Sequence, residues 1–481
     1  MQQIIFIVVL FIGTITLAFM MVATATSTVQ LSKRWTGGIL QYFFYALFVS
    51  NSLMTLLSGR DLTGLGTSLP GSGGSPLMIW STRLTSLFLL LAALDQCVRF
   101  FRTRPRIDAT RAALAVGVVL LWLSNIVAPA FWSTHPTGFY YPWAYQPILI
   151  IGLLCLTAEN GSMVIRHCRN ASTLFCFISL MLAVVHPAWV IDNNYMRGLV
   201  TGLPRLSGLA THPITMGMIA ASGVWCLAYA PFQSRKLTMF AVLICFAALL
   251  LSQSKTTWVG FVMGLPVLMF YRRRAEKASG MAERRKMGVM FAAGCTAAIV
   301  LILAMLTLLI LGVVDERMDQ FAQSALGAQM FSLTGRDLIW NIALEEWRRS
   351  PIFGYGPNLF DLNYRLRIGM LFATDGHNQF YDALARSGMV GAAGAALYSA
   401  IIAWMGLRFS HASAGLSLIL AISLLVRTVS EVPFILTVTN LNDTAHYLFI
   451  CVIVSCLRTQ ALRRPARQAR EESHASTLKP C

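Results

Sequence analysis

The chain has 481 residues, of which 56% are hydrophobic and only 12% charged, and its mean hydropathy is +0.64. A water-soluble domain carries about a quarter of its residues as charges, so the composition excludes an ordinary soluble enzyme or binding module. The formal net charge of +18 invites a nucleic-acid partner only until the positions of the basic residues are considered.

A helix of about 20 apolar residues crosses the hydrocarbon core of a bilayer. Runs of this kind fall near 4–24, 38–57, 77–98, 112–131, 143–158, 171–191, 210–230, 237–254, 256–271, 288–314, 382–407, 412–430 and 435–457. The expected fold is therefore all-α, a polytopic integral membrane protein with about 12–13 transmembrane helices. Residues 1–457 read as one membrane domain, and 458–481 as a basic, disordered cytoplasmic tail. Ala23-Thr24-Ala25 resembles a signal-peptide cleavage site, but Met1-Gln2-Gln3 carries no Lys or Arg, which favours a retained helix.

Basic residues cluster in every second loop. Arg99, Arg102, Arg104, Arg106 and Arg111 come first, then Arg166 and Arg169, Arg235 and Lys236, seven basic residues at 272–286, Arg408, and the Arg-rich tail. That alternation is the positive-inside pattern, so the charge is a topology signal and no nucleic-acid partner is expected. The ten cysteines show no CxxC or Cys/His spacing, and most sit in apolar runs, so neither a disulfide framework nor a metal site is expected.

If the Arg-rich loops are cytoplasmic, the other loops face outward: 58–76, 131–142, 192–209, the turn at 252–257, the long segment 315–377 and 431–444. The chemically unusual groups then share one face: Arg197 and Arg205 with His212, Lys255, Arg336, His377, and Glu431 with Asp443. The long segment is the largest polar interruption in the chain, and loops held on a rigid scaffold are where chemistry is usually placed. Within it, Thr334 reads as an N-cap with Asp337 at the third helical position. Ile339, Trp340, Ala343 and Trp347 follow at helical spacing, until Pro351 and Gly354 stop the helix. Short helices are thus expected inside this outward-facing loop.

Arg336 falls in the first turn of that helix, where a cation opposes the dipole and is better placed to meet an anion; the plain alternative is a solvated loop arginine. His377 stands at the mouth of the next span, with Asp375 two residues upstream to orient the ring. Imidazole suits a general base at neutral pH, while a helix cap or interfacial position is the commoner fate of a lone histidine. Lys255 and Arg205 sit at span ends, where a cation either snorkels or meets an anion. His135 and His186 read as interfacial, and Gly388 with Gly391 as a helix-packing stripe.

Four blocks in order resemble the O-antigen ligase and O-antigen polymerase superfamily of bacterial membrane glycosyltransferases. They are Arg205-x-x-Gly208-x-x-x-His212-Pro213, and Ser252-Gln253-Ser254-Lys255-Thr256. The third is Thr334-Gly335-Arg336-x-x-x-Trp340 with Pro351-x-x-Gly354-Tyr355-Gly356, and the fourth His377-Asn378-x-x-x-Asp382-x-x-Ala385-x-x-Gly388-x-x-Gly391. The likeness covers roughly residues 200–395. It implies glycan transfer, without cofactor or metal, from an undecaprenyl-pyrophosphate carrier to an acceptor hydroxyl at the periplasmic face of the bacterial inner membrane. By the same resemblance His377 is the base, Arg336 acts in catalysis and in binding the diphosphate, and Arg205 and Lys255 bind the diphosphate. Asp375, His212 and Asn378 support them. Lys255 stands where many relatives carry Arg, which keeps the charge and loses the bidentate fork.

The acceptor is a lipid-linked repeat in a polymerase or lipid A core in a ligase, and the Ser254-Lys255-Thr256 turn and the Thr334-Gly335-Arg336-x-x-x-Trp340 block look more like the exopolysaccharide polymerase branch. Membrane lipids and other polysaccharide-assembly proteins are the remaining partners implied. Two rivals are a transporter of lipid-linked glycan without covalent chemistry and a structural scaffold. A transporter places ionisable groups near the bilayer midplane, whereas here Asp95 and Arg427 are the few candidates and both lie near span ends.

Overall fold

The computed structural model describes residues 38–58, 60, 62, 76–103, 107–192, 205–278, 336–371, 373–437 and 439–457. The expected spans 4–24 and 288–314, the tail from Arg458, Arg197 and the Thr334-Gly335 cap lie outside the described residues. The described helices are α1 (Phe43–Leu57), α2 (Pro76–Arg102), α3 (Ala109–Trp132), α4 (Tyr145–Leu154), α5 (Ala158–Val185), α6 (Pro213–Tyr229), α7 (Arg235–Ser252) and α8 (Lys255–Ala278). They continue with α9 (Arg336–Arg349), α10 (Leu362–Arg367), α11 (Gln379–Arg408), α12 (Leu416–Ser430) and α13 (Leu441–Leu457). The strands β1 (Ile191–Asp192) and β2 (Arg205–Leu206) pair antiparallel. Six of the helical stretches are long and apolar enough to cross a membrane, so the protein is an all-α polytopic membrane protein.

From Tyr447 onward helix α13 is apolar on nearly every side, and Tyr447 to Val454 are fully buried. A helix with no polar face has to be surrounded by protein or lipid, and here the other helices enclose it. Gly161 on α5 makes one of those contacts close: a Cβ there would meet Cys451 O at 3.0 Å and Ser455 N at 3.1 Å. Around it α5 packs on α6, α6 on α7, and α8 and α11 both on α12.

Two expected boundaries differ from the structure. The run at 143–158 gives only the short α4, and the helix expected at 171–191 begins at Ala158, where the Thr157 side chain caps it by accepting the Asn160 N–H. Arg166 and Arg169 are therefore helical rather than in a loop. Arg169 stays buried because its guanidinium donates to the carbonyls of Ala230 and Pro231 and lies 3.9 Å from the Phe232 ring centroid. Hydropathy discounts that half of the helix, and tertiary partners restore it.

The expected helix after Arg336 is present as α9, with Ile339 and Ala343 buried. It shares a small satellite core with Leu359, Phe360, Tyr364 and Ala385, which fastens this part of the long segment to α11. The fastening uses a break in α11. At Gly388 the backbone turns to φ +63°, ψ −158°, and the residues around the break bond sideways to the segment 351–356. Met389 N–H donates to Pro351 O (2.8 Å), while Tyr355 N–H and Gly356 N–H donate to Ala385 O (2.8 Å) and Arg386 O (2.9 Å). Gly388 is thus a backbone hinge, not the packing stripe its spacing with Gly391 suggests. A Cβ at Gly388 would sit 2.3 Å from the Ile352 carbonyl, and one at Gly354 2.4 Å from the Arg386 carbonyl carbon. Gly388→Ala is expected to cost about 3 kcal/mol or more through strain and clash together. The check is the melting temperature and yield of detergent-solubilised protein; an unchanged melting temperature would mean that the break is not needed.

Candidate active site

A cavity of about 600 Å³ opens between α1, α2, the start of α6, the loop before α11 and the loop before α13. Asp375, His377, His212 and Glu431 line it, together with amide and hydroxyl side chains such as Asn51 and Asn442. His212, His377 and Glu431, far apart in sequence, meet here because each sits at or beside the end of a helix.

His377 is held on a backbone with φ +45°, a conformation few non-glycine residues adopt. Three contacts keep it there. Asp375 Oδ1 accepts the His377 N–H (2.8 Å), Asp382 Oδ1 accepts the Gly376 N–H (2.8 Å), and the Trp340 indole N–H donates to Gly376 O (3.0 Å). Gly376 itself has no room for a side chain, since a Cβ would lie 2.8 Å from that of Asp382. Trp340 also stacks on Tyr381, so α9 presses directly on this loop. Strain held by so many partners is characteristic of functional positions.

The ring nitrogen His377 Nδ1 lies 3.3 Å from Asp375 Oδ1. It is buried and not aligned for a hydrogen bond, so the contact is electrostatic at rest and needs a small ring rotation to become directional. Among the described residues Nε2 has no partner, and it is the nitrogen left for a ligand.

Arg336 Nη2 donates to Glu431 Oε1 at 3.3 Å. Glu431 ends α12 and is buried; burial raises its carboxyl above the usual range, while Arg427, Arg336 and His377 pull it back and Asp375 adds to the rise. The side chain of Thr256, next to Lys255, shares a hydrogen bond with Ser430, adjacent to Glu431. On the other side of the same turn, Arg205 Nε donates to Ser252 O at 3.2 Å. Arg205, the Lys255 turn, Glu431 and Arg336 therefore form one connected series behind the cavity wall. None of the three cations is itself a lining residue of the cavity. Asn378 caps α11, accepting the N–H groups of Phe380 and Tyr381, and its amide donates to Val429 O.

Sequence reasoning gave two contributors no role in the site. Arg60, in an outer loop read as Gly/Ser/Pro-rich, donates to Trp189 O, Gly208 O and Ala210 O. With Asn51 and Thr55, which both donate to Leu209 O, it fixes the Arg205–His212 segment. Gly208 in that segment has φ +58°, and a Cβ there would strike Ser179 and Met216, which accounts for the glycine of the first block. The second contributor is Arg427, buried on α12, which donates to the Asn442 carbonyl and side-chain oxygens and so holds the cavity floor. Only its extreme position in a span hinted at it.

His212 faces the cavity, and its Nδ1 accepts the Ile214 N–H, capping α6. Enclosure by the walls, then Arg205 and His377, lower its pKa from 6.5 to about 4. The folded chain thus binds fewer protons at this group than the unfolded chain does. Its contribution to stability is full above pH 6.5 and is lost as pH falls toward 4. His212→Asn keeps a capping acceptor without a titratable ring. It is expected to flatten the fall in melting temperature over that window; an equally steep fall in the variant would contradict the assignment.

Residues 240–396 match the family described as O-antigen ligase. The chain carries an O-antigen ligase family domain. That match, across about a third of the chain, supports the O-antigen ligase and polymerase superfamily that the four blocks resemble. The matched stretch contains Lys255, Arg336, Asp375 and His377, whereas Arg205, His212 and Glu431 join the O-antigen ligase domain only through the fold. No curated protein matches the chain.

Proposed function

We propose that this protein is an inner-membrane polysaccharide polymerase. It transfers glycan from an undecaprenyl-pyrophosphate carrier to an acceptor sugar hydroxyl at the periplasmic face. The observation that carries this reading is the His377–Asp375 pair on a strained backbone, facing a large cavity whose wall is backed by Arg336, Arg205 and Lys255. His377 Nε2 takes the proton of the acceptor hydroxyl, and the oxygen bonds the anomeric carbon. The bond from that carbon to the diphosphate oxygen breaks, and the pyrophosphate leaves with the electron pair. Arg336 meets the charge that accumulates on the leaving group, which is where fixed cations lower a barrier most. Arg205 and Lys255 add to the positive potential, so the transfer needs no metal ion.

Glu431 accepts a hydrogen bond from Arg336, and an arriving diphosphate competes for the same guanidinium. The family description favours a second reading, in which the acceptor is lipid A core and the protein a ligase. A deletion strain separates the two. Single repeats accumulating on the carrier lipid are the expected result. Long chains on the carrier, absent from lipid A core, would instead indicate the ligase; carrier-linked species identical to wild type would contradict both.

A further inference from the structure

Behind the wall formed by Thr374 and Asp375 lies a second chamber, of about 240 Å³, and these two residues are the ones it shares with the larger cavity. Two irregular helices build it. In α3 the stretch Leu123–Val127 widens to a π turn, which brings Asn125 and Ile126 to the chamber. In α11 the chamber residues Gln379, Asp382, Arg386 and Ser387 precede the break at Gly388. The two irregularities are tied to each other: Ser387 Oγ donates to Asn125 O (2.9 Å) and Asn125 Nδ2 donates to Gly391 O (3.0 Å). π turns and broken helices recur at functional sites because their freed groups are available to a ligand.

The cation in the chamber is already committed. Arg386 donates to Asp382 Oδ1 (3.0 Å), Pro357 O (2.7 Å) and Thr374 O (3.5 Å), so it has little left for a phosphate. What remains unspent among the described residues is neutral or acceptor in kind. Gln379 uses its side-chain oxygen on the Phe434 N–H, leaving its NH₂. Asn125 uses its NH₂, leaving Oδ1. Asp382 uses Oδ1 twice, leaving Oδ2, and Thr437 lines the chamber too. Mixed donors and acceptors around a space below the ~300 Å³ of a drug-sized site suit the hydroxyls of one neutral sugar ring.

We infer that this chamber binds the terminal sugar of the acceptor glycan and presents its hydroxyl past Thr374 and Asp375 to His377. The inference rests on the transferase reading above and adds to it a separate room for the second substrate. It also implies that the acceptor's terminal sugar is uncharged.

The test uses purified full-length protein, carrier-linked glycan as donor, and lipid-free repeat-unit oligosaccharide from the same host as acceptor. Thr437→Trp fills the chamber and is expected to raise the KM for oligosaccharide by ~tenfold or more, with the donor KM within ~twofold. Thr437→Val, which removes only the hydroxyl, moves the same constant by a smaller factor and guards against misfolding of the bulky variant. Ser86→Trp fills the larger cavity instead and is expected to raise the donor KM. An oligosaccharide KM that ignores Thr437→Trp but responds to Ser86→Trp overturns the chamber while leaving transfer itself intact. Failure of the wild type to take the free oligosaccharide, while it still extends carrier-linked glycan, overturns it as well. Absence of transfer to any acceptor would remove the transferase reading and the chamber with it.

Discussion

Replacing His377 by Ala is expected to lower glycan transfer by about 10²–10⁴-fold, the usual loss when a general base is removed. The backbone at this position complicates that variant. With φ at +45°, alanine retains the strain and loses whatever the imidazole supplied to hold the loop. Asn tolerates left-handed backbone better than other residues with a side chain. His377→Asn should therefore keep the melting temperature and membrane insertion of the wild type while losing activity to the same extent. Matched losses in the two variants would locate the effect in the ring and not in the loop. Asp375 is a positioning residue on this view: it holds the His377 N–H and faces Nδ1.

Arg336→Ala is expected to reduce turnover by about 10²–10³-fold, because it removes a fixed cation from the developing pyrophosphate charge. It also leaves the buried Glu431 without its partner at 3.3 Å, and an unpaired buried carboxylate is destabilising in its own right. The double variant Arg336→Ala with Glu431→Gln separates the two effects. Stability should recover toward wild type and activity should not. Arg336→Lys should recover part of the rate, since charge is kept and the fork is lost. Full activity in the double variant would mean that Arg336 serves only to hold Glu431.

Much of this site is legible in sequence, for identifiable reasons. Helical periodicity marks α9, and Pro351 and Gly354 mark its end. His377, His212 and Asp375 stand out because charged and titratable groups are rare in so apolar a chain, and the structure brings all three to one cavity. Other features depend on tertiary contacts that leave no local trace. Gly388 and Gly391 read as a small-residue stripe; only the backbone of Ile352, pressed against Gly388, shows that the helix breaks there. Glu431 looks like a loop acid until Arg336 and Arg427 are folded around it. Arg60 gives no motif, because its partners are main-chain carbonyls, which any sequence provides. The start of α5 was hidden by Arg166 and Arg169, whose cost hydropathy counts and whose partners it cannot see.

Transfer by purified full-length protein in lipid nanodiscs, with carrier-linked glycan as the only substrate, tests the central claim most directly. Undecaprenyl pyrophosphate should be released in step with each new glycosidic linkage in the wild type, unchanged by a metal chelator, and neither product should form with His377→Asn. Linkage formation that persists in His377→Asn, or pyrophosphate carrier released with no new linkage in the wild type, would contradict a His377-driven transferase.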